Sequence, residues 1–112
     1  MTVVTDEQMR AMLPTTKGYT AVILKDGPSR RVDGVDAIIW EHGRRNFALR
    51  AEGVLSIVCP IRDDSGINGI GIFNLDHEST CAVMDEDPGV VAGVFVYEAH
   101  PCRSFPGDTL PA

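Results

Sequence analysis

The sequence predicts an α+β domain with its elements in the order β-α-β-β-α-β. Three observations lead there. Segments 19–24, 54–59 and 90–99 are short and rich in β-branched and aromatic residues, and 67–75 alternates apolar and small residues, as strands do. Segments 36–52 and 77–85 suit helices, the first with apolar residues three or four apart. The length of 112 residues is that of one ordinary domain.

Taken in order, residues 1–18 read as an N-terminal arm. Thr5 can cap a short helix, with Gln8 at the third helical position, and Pro14 ends it. The arm lies on the domain or on a partner subunit. Strand 19–24 closes on Lys25-Asp26-Gly27-Pro28, which is turn chemistry. A charged loop follows from Ser29 to Gly34.

The main helix spans 36–52. Val35, Ile38, Ile39, His42, Asn46 and Leu49 share one stripe. Trp40, Phe47 and Ala51 form a second, so two partly buried sides are expected. Asp33 or Asp36 suits the positive end of the helix dipole, and Gly53 suits the C-terminal cap. Strand 54–59 stops at Pro60, and a turn at Arg62-Asp63-Asp64-Ser65-Gly66 leads into 67–75, an antiparallel hairpin. Gly69 and Gly71 leave room on one face for a close approach.

The second helix, 77–85, is capped by Asp76 or Ser79 and broken at Asp85-Glu86-Asp87-Pro88-Gly89. Segment 90–99 is the last strand, and the tail after it, with three prolines among residues 100–112, is expected to be irregular. The division is an arm at 1–18, a domain at 19–101 and a tail at 102–112. This is the split βαβ, ferredoxin-like arrangement, an antiparallel four-stranded sheet with two helices on one face. The other face carries Val, Ile and Phe residues. An apolar sheet face is too large to leave wet, so a homodimer through that open face is expected.

Charge narrows the function. Sixteen acidic residues against ten basic give a formal charge of −6. That argues against nucleic acid, whose binding rests on Lys and Arg, and against docking on an anionic membrane. No apolar run approaches the roughly 18 residues of a membrane span, and the N-terminus lacks a signal-peptide pattern. Cys59, Cys81 and Cys102 are odd in number and contain no CxxC pair, which favours a reducing, cytoplasmic setting.

His42 is the most informative residue. It shares the stripe of Ile38 and Ile39, so its ring points toward the sheet, and imidazole suits proton transfer near neutral pH. It reads either as a general base or as a core histidine bonded to a carbonyl. Asp87 precedes a proline and reads as a turn residue, or as the carboxylate that receives the His42 ring N–H and fixes its tautomer. Arg44 or Arg45 can hold an anionic group of a substrate, or lie on a solvated face. Asp63 is a further candidate contact, against the reading of Asp63-Asp64 as a solvated turn. No metal or other cofactor is expected. His42, His77 and His100 sit on three elements without HxxxH or HxH spacing, and the Gly66–Gly71 run lies in a strand with no helix after it, unlike a dinucleotide loop.

Together these features resemble the YCII-related (YciI-like) family over residues 19 to about 101. The resemblance rests on Lys25-Asp26-Gly27-Pro28, the helix with His42, Asp63-Asp64-Ser65-Gly66 leading to Gly69, and Asp87-Pro88 followed by Ala92-Gly93. It implies a dimeric α/β barrel and a His-Asp pair in a cleft of each protomer, here His42 and Asp87. The chain departs from the family pattern at Cys59-Pro60, where Gly-Pro is common, and at Gly89, where an aromatic residue is common. The resemblance implies a cofactor-independent lyase or isomerase acting on a small acidic or quinonoid molecule. The rival reading is a non-catalytic small-molecule binder or accessory dimer.

Overall fold

A computed structural model describes residues 1–112. The chain folds as an α+β domain with a four-stranded antiparallel sheet in the order β2-β3-β1-β4. The strands are β1 (Lys17–Asp26), β2 (Leu55–Pro60), β3 (Ile67–Phe73) and β4 (Phe95–Ser104). The arm carries helix α1 (Asp6–Met12), and the domain carries α2 (Val35–Ala51), α3 (His77–Asp85) and the single turn α4 (Pro88–Val91). Every neighbouring pair of strands is antiparallel, and β2 and β3 form the expected hairpin.

Side-chain alternation along β1 assigns the two faces. Thr20, Val22 and Leu24 are buried under the helices, while Tyr19, Ala21 and Ile23 on the other face are half-buried. Register places Val22 beside Gly71 and Thr20 beside Phe73, so Gly71 and Phe73 of β3 also face the helices. The core is Val22, Leu24, Leu55, Phe73, Met84, Val94 and Phe95, with Val35, Ile38, Ile39 and Leu49 of α2 packed on it.

Local chemistry accounts for the helix ends. The Thr5 hydroxyl accepts from the Gln8 amide while the Gln8 side chain accepts from the Thr5 amide, a reciprocal capping box. Helix α2 ends on Gly53 at φ +75°, with Gly53 N–H donating to Arg50 and Val54 N–H to Leu49, the glycine-dependent C-terminal motif. Asp76 caps α3 by accepting from Ser79 N–H.

Three expectations are corrected. Val90 and Val91 belong to α4 and not to a strand, because Asp87 and Pro88 start a helical turn that Gly93, at φ +72°, ends. The last strand therefore begins at Phe95 and runs through the expected tail to Ser104. Pro101 is tolerated there because β4 is an edge strand, where a missing N–H can face away from the ladder. The second stripe of α2 is not buried, since Trp40 is 69% exposed and Phe47 73%.

Helix α1 buries no residue, and no helix of the chain is long and apolar enough to cross a membrane. Cys59, Cys81 and Cys102 are free and half-buried.

Candidate active site

Asp87 is set by the same turn chemistry that marks it in the sequence. It is the N-cap of α4, with Pro88 at the first helical position. One carboxylate oxygen, Oδ2, accepts from Gly89 N–H at 2.9 Å and Val90 N–H at 3.2 Å. The carboxylate is 1% exposed, so it needs these partners. Asp87 is thus at once the turn residue and the partner of a histidine.

That histidine is His42. Helix α2 packs against α4, and the His42 stripe faces the sheet. Its Nδ1 lies 2.8 Å from Asp87 Oδ1 and 2.9 Å from Oδ2. With the Nδ1 proton donated to the carboxylate, Nε2 carries the lone pair. Asn46, one turn further along α2, donates to it from Nδ2 at 3.2 Å. The ring packs at 4.7 Å from that of Phe95.

Burial alone would raise the Asp87 pKa. The hydrogen bond and charge of His42, with the amides of Val90 and Gly89, outweigh it and hold the carboxyl below the ordinary carboxylate range. Stability from such a group is present above the unfolded carboxylate pKa, about 3.9, and is lost as pH falls through the lower folded value. Asp26, held down by Asn68 and Arg31, shifts the same way. Chemical unfolding midpoints should therefore hold steady above about pH 4 and fall below it. In Asp87→Asn the acid loss should be shallower than in the parent, and an identical acid profile would contradict this assignment.

His42, with Asp87 buried behind it, lines a cavity of about 370 Å³ between α2 and the helix-facing side of β2 and β3. Its floor includes Gly69 and Gly71, and a Cβ on Gly71 would lie 3.1 Å from Leu55. The missing side chains leave the hollow that the two glycines foreshadow. The walls are mainly apolar, with Ile39, Phe47, Val58, Ile61 and Phe95 among them, and the polar groups are His42, Asn46, Asn68 and Arg30. Gly89 also finds its reason here. A Cβ on it would meet the Phe95 ring at 2.5 Å, so glycine there lets Phe95 stand against His42.

No protein-family model and no curated protein matches the chain.

The other candidate residues lie outside the cavity lining. Arg44, exposed, bonds to Glu41 at 3.2 Å. Two residues beyond His42 on a helix is more than half a turn away, so the two cannot share a face. Arg45 sits 3.9 Å from both Glu86 and Asp87. Asp63 accepts from Ser65 N–H in the hairpin turn.

The cation that does line the cavity is Arg30, from the loop after β1, and with it Asn68 of β3. No periodicity marks a loop residue, so nothing in the sequence pattern points to Arg30. Asn46 was legible as a member of the His42 stripe but carried no role. His77 pairs with the Ala99 carbonyl through Nε2 at 3.1 Å, away from His42. No group of three or more His, Cys, Asp and Glu side chains stands close enough to hold a metal ion.

Proposed function

We propose that the protein is a YciI-like, cofactor-independent lyase or isomerase in which His42 Nε2 removes a proton from a small molecule held in the cavity. The observation that carries this reading is the His42–Asp87 bond at the wall of an apolar cavity. The buried carboxylate keeps the Nδ1 proton in place, orients the ring and stabilises the imidazolium that forms. The substrate takes the place of the Asn46 amide at Nε2. When the C–H bond breaks, its electron pair moves toward an adjacent carbonyl. It then expels a leaving group from the next carbon, or recaptures the proton at another carbon. The first outcome is elimination and the second isomerisation.

A binding module would need only the cavity. The ordered, desolvated carboxylate behind the imidazole favours proton transfer. The test is hydrogen exchange in D2O across a panel of small carboxylic acids, keto acids and hydroxyquinones. Deuterium should enter at carbon with the parent protein and not with His42→Ala. Binding of panel members without exchange in the parent would return the reading to a binder.

The open sheet face supports a homodimer. Ala21, Ile23, Ile57, Ile70 and Ile72 lie on it, with Ile70 40% exposed. Face-to-face packing of two such sheets buries this surface at the usual spacing of about 10 Å. Sedimentation should give a dimer mass, and Ile23→Lys combined with Ile72→Lys should shift it to a monomer. A monomeric parent at micromolar concentration would remove the dimer.

A further inference from the structure

We propose that Arg30 is the anion-recognising residue of the cavity, so that the compound taken there is a small organic anion: an apolar body carrying one carboxylate or an equivalent oxyanion. The inference builds on the reading of the cavity as a small-molecule site, but it does not need the proton transfer.

Three observations carry it. First, Arg30 is the only Lys or Arg side chain lining the cavity, and no Asp or Glu lines it. At about 370 Å³ the space lies at the small end of ligand sites, about 300–1,000 Å³. A single cation in such a wall selects charge more sharply than one in water, since the low-dielectric surroundings strengthen its field.

Second, the side chain is positioned by its inner nitrogen alone. Arg30 Nε donates to Asn68 Oδ1 at 3.0 Å and lies 3.6 Å from Asp26 Oδ1. The two terminal amino groups have no protein acceptor, which leaves the outward edge of the fork free for an oxyanion. The guanidinium carbon also rests 5.8 Å from the centre of the Phe95 ring, the ring that packs against His42. Arg30 and the His42 imidazole are therefore both neighbours of one aromatic ring in one cavity.

Third, the charges around Arg30 do not cancel. Asp26 is shared. It takes Asn68 Nδ2 at 2.7 Å on Oδ1 and Arg31 at 3.0 Å on Oδ2. Two guanidiniums against one carboxylate leave the cluster with one positive charge to spare. Asn68 holds both sides of this arrangement, accepting from Arg30 and donating to Asp26, and so acts as a positioning residue.

The test uses benzoate, its uncharged isostere benzamide and the cation benzamidine as probes. Calorimetry gives the affinity, and amide shifts of Gly43, Gly69 and Gly71 report the place. Benzoate should bind the parent about ten- to a hundredfold more tightly than benzamide, the range expected for a charge-assisted hydrogen bond. Benzamidine should not bind. Arg30→Gln should remove the preference for benzoate over benzamide, and Arg30→Lys should restore part of it. Equal affinity for benzoate and benzamide in the parent would overturn the proposal even if Arg30→Gln failed to fold, and so would the absence of any probe binding at these glycines. If benzoate binds through Arg30 while no compound exchanges hydrogen in D2O, the proton-transfer reading fails and the anion site stands.

Discussion

His42→Ala should lower turnover of any substrate of the cavity by about 10²–10⁴-fold, the usual contribution of a positioned acid or base. The substitution removes the one lone pair in the cavity that is backed by a buried carboxylate. Asp87→Asn should cost about 10²-fold or more by a different route. An asparagine retains the shape and an oxygen for the Gly89 and Val90 amides, but it supplies no full negative charge to the Nδ1 proton. Asp87 therefore acts through His42, and its replacement should move the acidic limb of the pH–rate profile as well as the rate. A rate loss with an unmoved profile would mean that Asp87 only supports α4. Parental turnover in His42→Ala would remove the histidine from the chemistry.

Gly27→Ala should be the most destabilising single methyl addition in the domain. A Cβ at this position would lie 2.3 Å from the Gly93 carbonyl oxygen and 2.9 Å from the Val94 carbonyl carbon. These are backbone atoms and not the end of a flexible side chain. They cannot move alone, because Gly27 N–H donates to Val94 O at 2.8 Å and Ser29 N–H to Gly93 O at 2.8 Å. This strap joins the end of β1 to the start of β4, directly beside the loop that carries Arg30. Overpacking of this kind costs about 1–3 kcal/mol or more. For a domain of this size that lowers Tm by roughly 5–15 °C. Gly43→Ala is the natural comparison. It meets nothing within 4 Å on α2, and alanine favours the helix by about 0.5–1 kcal/mol. Thermal unfolding followed by circular dichroism should separate the two variants in opposite directions. A Gly27→Ala protein that melts with the parent would show that the strap yields easily.

Much of this architecture is readable from the chain alone, and the physical reason is local. The β-branched run at Tyr19–Leu24 and the three-and-four spacing of Ile38, Ile39 and His42 are properties of a strand and a helix that exist before either meets a neighbour. Thr5 with Gln8, Asp76 with Ser79 and the glycine after Glu52 satisfy orphan backbone groups within one turn, so their caps need no tertiary information. Asp87 before Pro88 reads as a turn residue, but the helical turn that it caps stands where a strand was expected. Sequence and structure part where burial decides. Trp40 and Phe47 have helical spacing but no layer above them. Pro101 looks like a strand breaker until β4 is known to be an edge.

The site divides along the same line. The sequence by itself determined that His42 would face inward and that Asp87 would sit at a turn, since helical phase and proline stereochemistry are fixed by the neighbouring residues. It also left a bare stretch at Gly69 and Gly71. Only the tertiary structure decided that residues 45 positions apart meet at 2.8 Å, because that distance depends on how α2 and α4 pack. It likewise brought Arg30 to the cavity in place of Arg44. A loop has no repeat from which its direction can be read, and the position of Arg30 follows from the bonds that Asn68 and Asp26 make across the sheet.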